Sequence, residues 1–234
     1  MIAVLLVALL AGDVVVFAAA SLKESFEELG ALFEKEHPDV QVRLNLAGSQ
    51  ELRTQLEHGA AADLFASADE AQMAALQGLA LSPAVFARNE PVVIVPGDAP
   101  PLRLDDLPRA KRIVLGDAAV PIGAYADRIL ARRGAAFRRS VEAHVVSREL
   151  NVRQVLAKVS LGEADAAIVY RTDALAAGPK VRATRIPAAD NVLAAYPIAQ
   201  LRGAQHPALA AALLQLVLSP RGRAVLERRG FLPP

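Results

Sequence analysis

The chain of 234 residues has no cysteine and no tryptophan, and it carries only seven Phe and three Tyr. Without cysteine there is no disulfide framework, no thiolate metal site, no cysteine nucleophile and no lipidated N-terminal cysteine. Aromatics at 4% of the residues are a poor supply for stacking on nucleobases or sugar rings, which argues against a large flat ligand. The 14 Gly and 15 Pro follow no fixed register, so the chain is not collagen-like. No period of 20–50 residues recurs, which excludes a solenoid. An excess of charge is also missing, since the net is +1.

That near-zero sum conceals an asymmetry. Residues 1–80 hold four bases against twelve acids, a net of −8, whereas residues 101–154 hold eleven bases against six acids, a net of +5. The basic stretch, with Arg132-Arg133 and Arg138-Arg139, has no interleaved aromatics and no recognition helix, so it reads as a solvated face and nucleic acid is not expected as a partner. The two halves of the charge pattern suggest two lobes instead.

What the sequence does contain is a folding chain, 53% hydrophobic and 22% charged, long enough for one large domain or two small ones. The run IAVLLVALLA at 2–11 is about half of the ~20 residues needed to span a bilayer. It reads as a secretory leader ending near Gly12, although no Lys or Arg precedes it.

From residue 13 the pattern alternates. DVVVFAAA at 13–20 is a β-branched run of the kind buried on both faces of a parallel sheet. Ser21-Leu22-Lys23-Glu24 reads as a capping box opening a helix that stops at His37-Pro38. VQVRLNL at 40–46 alternates as a strand, Gly48-Ser49 opens a second helix, and ADLFAS at 62–67 is a third strand before a helix at 69–76. The same grammar resumes later. PVVIVP at 91–96, residues 113–116, AAIVY at 166–170 and VLAAYPIA at 192–199 read as strands, with helices from Gly123, over 150–159, 206–218 and 221–229. Such alternation implies doubly wound sheets with a ligand crevice at the strand C-terminal ends.

Enzyme signatures are missing. No G-x-S-x-G, no G-x-x-x-x-G-K-[ST] and no G-x-G-x-x-G is present, and the four His (His37, His58, His144, His206) have no i, i+4 partner. What recurs is a small polar residue or Gly where a strand gives way to a helix: Ala20-Ser21, Gly48-Ser49, Pro121-Ile122-Gly123 and Asn151-Val152. Each junction leaves unpaired backbone N–H groups at the positive end of a helix dipole. Several of them converging make an anion site built from neutral donors.

The strings VFAAASL (16–22), AGSQEL (47–52), GAAADLFASAD (59–69), VPIGAYA (120–126), NVRQVLAKVSLGEADAAIVYRTDA (151–174) and RRGF (228–231) together resemble the molybdate-binding proteins of molybdate ABC importers, in order over 13–231. The resemblance implies a type II periplasmic-binding-protein fold, α/β and two-lobed, each lobe a mixed, mostly parallel sheet flanked by helices. It implies a first lobe of 13–84 with 200–234, a second lobe of 85–199, and crossing hinge strands near 86–95 and 192–199.

It further implies that Ser21 and Ser49 donate hydroxyl and backbone N–H, that Ile122 and Val152 donate backbone N–H, and that Tyr170 offers its phenol. Molybdate, and tungstate beside it, would be the ligand, with no cofactor and no direct metal ligands. The partner would be the membrane permease, and the chain a monomer in the periplasm or secreted. Two positions depart from the family pattern: Ile122 stands where V-P-A-G has Ala, and Gln50 where a second Ser is common. Tyr125 reads as helix packing or pocket edge, and Tyr196 as strand packing between the lobes. The rival readings are another tetrahedral oxyanion such as sulfate or phosphate, an effector-sensing domain of the same fold, and an enzyme on it.

Overall fold

Runs of β-branched apolar residues alternate with amphipathic stripes along the chain, and strands alternate with helices accordingly. The computed structural model describes residues 12–234, so all of the expected leader except Gly12 lies outside the described residues. The chain first builds β1 (Gly12–Ala19), α1 (Lys23–Glu36), β2 (Val40–Ala47), α2 (Ser49–Glu57), β3 (Leu64–Ala66), α3 (Glu70–Ala74) and β4 (Ala80–Asn89). It continues with β5 (Pro91–Pro96), β6 (Ile113–Gly116), α4 (Pro121–Arg132), α5 (Ala135–Glu142), β7 (Val145–Glu149), α6 (Val152–Ser160), β8 (Ala166–Tyr170), α7 (Arg171–Ala177) and β9 (Val181–Arg185). Last come β10 (Ala194–Leu201), α8 (Pro207–Leu218) and α9 (Pro220–Arg228).

The strands form two five-stranded sheets, in the orders β2-β1-β3-β10-β4 and β7-β6-β8-β5-β9. Both are mixed. β1 runs parallel to β2 and β3, and β6 parallel to β7 and β8, while β10 and β5 run antiparallel to their neighbours. Helices flank each sheet, giving a two-lobed α/β molecule. By sheet membership the chain changes lobe at Glu90, between β4 and β5, and again across 186–193, between β9 and β10. A short bridge between Arg88 and Leu232 brings the end of the chain back to β4.

The β-branched runs are buried as their composition requires: Val14, Val16 and Ala18 of β1 and all five residues of β8 are buried. Among the described residues no single helix is long and apolar enough to cross a membrane.

Local details differ from the sequence reading. The capping box at Ser21 does not form: a 3-10 turn (Ala20–Leu22) precedes α1, no side chain caps the helix, and the Ser21 hydroxyl bonds instead to Tyr196. The helix expected over 150–159 begins at Val152, because the Asn151 side chain accepts the Arg153 and Gln154 N–H groups and so sits outside the helix as its cap. Strand β4 starts ahead of the stretch 86–95, and α5, β7, α7 and β9 have no counterpart in the reading.

Candidate functional site

Six strand-to-helix junctions meet where the lobes face one another. The strands β1, β2 and β3 of the first sheet and β6, β7 and β8 of the second all end there, at the carboxyl edges where α/β sheets hold ligands. They line one small cavity between the lobes, far below the size of drug-sized sites. Ser21, Ser49, Ile122, Val152 and Tyr170 all line it, so the structure brings the five expected residues together from both lobes. No lining residue is ionisable as Lys, Arg, His, Asp or Glu.

The donors are set by local bonding. At the start of α2 the Gly48 N–H goes to the Glu51 carboxylate at 2.8 Å, and the Glu51 and Leu52 N–H groups return to the Gly48 carbonyl. The Ser49 N–H, in the first turn, has no acceptor within the helix. Its hydroxyl oxygen accepts the Ala68 N–H at 3.0 Å, leaving the hydroxyl proton for the cavity. At α6 the Asn151 side chain takes the second and third N–H groups, at 3.1 Å each, and leaves the first, that of Val152. At α4 the first residue is Pro121, which has no N–H, so Ile122 presents the first one. All three helix starts direct positive dipole ends at one point.

Tyr170 closes the set. Its side chain is 1% exposed and its hydroxyl has no hydrogen-bond partner among the described residues. Burial pushes its phenol well above the ordinary range, with Tyr196 and Tyr125 adding to the effect, so it is a donor at any working pH. Its ring is held edge-to-face by Tyr125, at 6.3 Å, and by Tyr196, at 5.7 Å. Tyr125 packs here rather than lining the cavity, and burial followed by the charge of Asp69 pushes its phenol up to about 12.

The two departures have structural accounts. Ile122 is 1% exposed, and its Cγ2 lies 2.8 Å from where a Cβ on Gly116 would sit. The branched side chain occupies space that the glycine leaves open. Gln50 donates through Nε2 to the Leu150 carbonyl at 2.7 Å, a bond between the lobes that a serine could not reach.

Sequence reasoning missed the groups behind the site. Tyr196 was read as packing, yet its hydroxyl lies 2.9 Å from Ser21 Oγ. Asn89, fully buried, gave no signal at all. Arg153, next to Val152, reaches Glu24 of the first lobe at 2.8 and 2.5 Å and Asp173 at 2.8 Å. Burial works to raise Glu24, but the Arg153 guanidinium overrides it and holds the carboxyl below its usual value. The separation of 129 residues between Glu24 and Arg153 hid their pairing. Among the described residues no cluster of His, Asp and Glu could hold a metal ion.

The chain is similar to known proteins over nearly its full length. The molybdate-binding protein ModA of Mycobacterium tuberculosis is 40% identical over 230 residues, covering 96% of this chain and 86% of that protein. The structure superposes on the periplasmic molybdate-binding protein of Azotobacter vinelandii with a TM-score of 0.83 at 20% identity, covering 94% and 99% of the two chains. It superposes equally on the sulfate-binding protein SubI of Mycobacterium tuberculosis, with a TM-score of 0.85 at 18% identity over 94% and 86%. At those identities the likeness speaks for the fold and not for the anion. These are substrate-binding proteins, not enzymes, and the model of the bacterial extracellular solute-binding proteins matches residues 14–232. A match from the first buried strand to the last bridge, on a cavity between two lobes, makes the chain a member of that family.

Proposed function

We propose that the chain captures molybdate, and tungstate beside it, between its two lobes and delivers it to the membrane permease of an ABC importer. It does so as a monomer, in the periplasm or secreted, and without a cofactor. The observation that carries this reading is a small cavity lined by neutral donors from both lobes, with the buried, unpartnered Tyr170 hydroxyl among them. A tetrahedral dianion offers several acceptor oxygens to such a set, and it avoids a buried cation whose desolvation would cost several kcal/mol. The name of the relative at 40% identity supports molybdate over its congeners. The motion is a hinge at the two passages between the sheets, a population shift toward the closed lobes on binding.

Sulfate is the rival, since it is also a dianion without a proton. Phosphate fits less well, because hydrogen phosphate carries a proton that needs an acceptor and the lining holds no carboxylate. Isothermal titration is expected to show one tight molybdate site that Ser49→Ala weakens roughly 10- to 100-fold, the worth of a hydrogen bond to a charged group. Heat with sulfate but none with molybdate or tungstate would overturn the assignment.

A further inference from the structure

Resting on this reading of the site, we infer that Tyr196 is a positioning residue: its phenol, fed by Asn89, gives its proton to Ser21 and so turns the Ser21 hydroxyl into the cavity. The direction follows from counting donors. Asn89 Oδ1 accepts the Glu90 N–H at 2.9 Å, which fixes the amide with its nitrogen on the opposite side. Nδ2 then gives one proton to Thr172 Oγ1 at 2.8 Å and the other to the Tyr196 hydroxyl at 3.3 Å. Having accepted that bond, the Tyr196 hydroxyl has its single proton left for Ser21 Oγ, 2.9 Å away.

Ser21 Oγ is thereby an acceptor on its protein side and a donor on its ligand side. All of these groups are buried: Asn89 and Tyr196 at 0%, Ser21 at 3% and Thr172 at 4% exposed. Burial limits competition from water at Asn89 and Tyr196, and the bonds reinforce one another from Asn89 through Tyr196 to Ser21. The row starts at Asn89, at the passage between the sheets, where the amide also gives a proton to Thr172 of the second lobe, and it ends at the ligand side of the first lobe. Edge-to-face contacts with Phe86, Tyr170 and Phe231 hold the Tyr196 ring in place, so the hydroxyl cannot swing away from Ser21. The consequence is selectivity. Without Tyr196's proton the Ser21 hydroxyl could rotate and accept, and the site would tolerate a protonated oxyanion.

The test is a double-mutant cycle of Ser21→Ala and Tyr196→Phe, titrated with molybdate by calorimetry. Melting of each ligand-free variant and displacement of molybdate by hydrogen phosphate are measured alongside. Ser21→Ala is expected to lose roughly 10- to 100-fold in molybdate affinity and Tyr196→Phe roughly 5- to 50-fold, with the double variant no more than about 3-fold weaker than Ser21→Ala. The preference of Tyr196→Phe for molybdate over hydrogen phosphate should fall at least several-fold.

Phe33→Leu, a buried change near the far end of α1 that touches none of these hydroxyls, should lower the melting temperature and leave that preference unchanged. Losses that multiply in the double variant, or a Tyr196→Phe preference equal to the wild type's, would overturn the positioning role even with molybdate binding intact. If the wild type takes sulfate and not molybdate, the functional reading fails while the same cycle run on sulfate decides the role of Tyr196. A wild type that binds no tetrahedral dianion overturns both.

Discussion

Tyr170 holds a hydroxyl that is buried and has no hydrogen-bond partner among the described residues, a placement that costs about 1–3 kcal/mol unless a ligand satisfies it. Tyr170→Phe removes that cost together with the bond to the ligand. Melting of the ligand-free variant is therefore expected to be no lower than wild type, while titration shows molybdate affinity down roughly 10-fold. Unchanged affinity would mean that the hydroxyl faces something else. Ser21 and Ser49 were singled out in the sequence by the strand-to-helix junctions they occupy, whereas Tyr170, which ends its strand, was singled out only by the family resemblance. The bond of Ser21 to Tyr196 was not legible there, since the two are 175 residues apart and a serine ahead of Glu24 has the local look of a helix cap. Tertiary bonding overrode the capping box.

Helix starts do most of the work at the site, and Gly48 shows how closely they approach. A Cβ there would lie 2.5 Å from the Leu150 carbonyl of the other lobe, although the backbone angle φ of −62° suits alanine within its own lobe. Gly48→Ala is thus expected to displace the Leu150 carbonyl and the Gln50 amide, which would lie 2.6 Å from the added carbon, and to weaken molybdate binding at least 10-fold while lowering the melting temperature little, since the Gln50 side chain can turn aside. A melting temperature that falls while affinity holds would contradict this.

Elements with strong period or composition were readable, as β1, β8 and the amphipathic α6 show. Others carried no signal. β4 (ALSPAVFARN) contains a Pro and a Ser with φ of 44° and pairs irregularly with β10. β9 (VRATR) is an edge strand with two exposed arginines, and α7 follows β8 with no residue between them.

At the scale of the molecule, the lobes are tied by Gln50 to Leu150, Gln72 to the Ala119 carbonyl at 3.2 Å, and Glu24 to Arg153. Asp173, fully buried beside Arg153, is pushed up to about 6 by burial, which outweighs the attraction of the guanidinium. The folded chain therefore keeps this proton over a window in which the unfolded chain, at an ordinary 3.8, has released it. The stability this contributes is full below about pH 4 and is lost as pH rises toward 6. Asp173→Asn should flatten that part of the pH profile by on the order of 2–3 kcal/mol, measured by denaturant unfolding at pH 4, 5 and 6. An unchanged slope would assign the proton elsewhere.

The two-lobed plan itself was visible in the charge asymmetry and the repeated alternation. The point where the chain changes sheets was harder to read, because β4 and β5 are separated by a single residue.

The first sheet takes β10 between β3 and β4, and this fixes an order of assembly. Until the chain has been made past Leu201, the lobe that carries Ser21 and Ser49 has a gap in the middle of its sheet, with β3 and β4 unable to meet. The second sheet draws all five of its strands from 91–185 and can close sooner. The lobe begun first on the ribosome is finished last, and its long-range pairing makes that step slow. The nascent N-terminal third thus stays open until the C-terminal strand arrives to complete it.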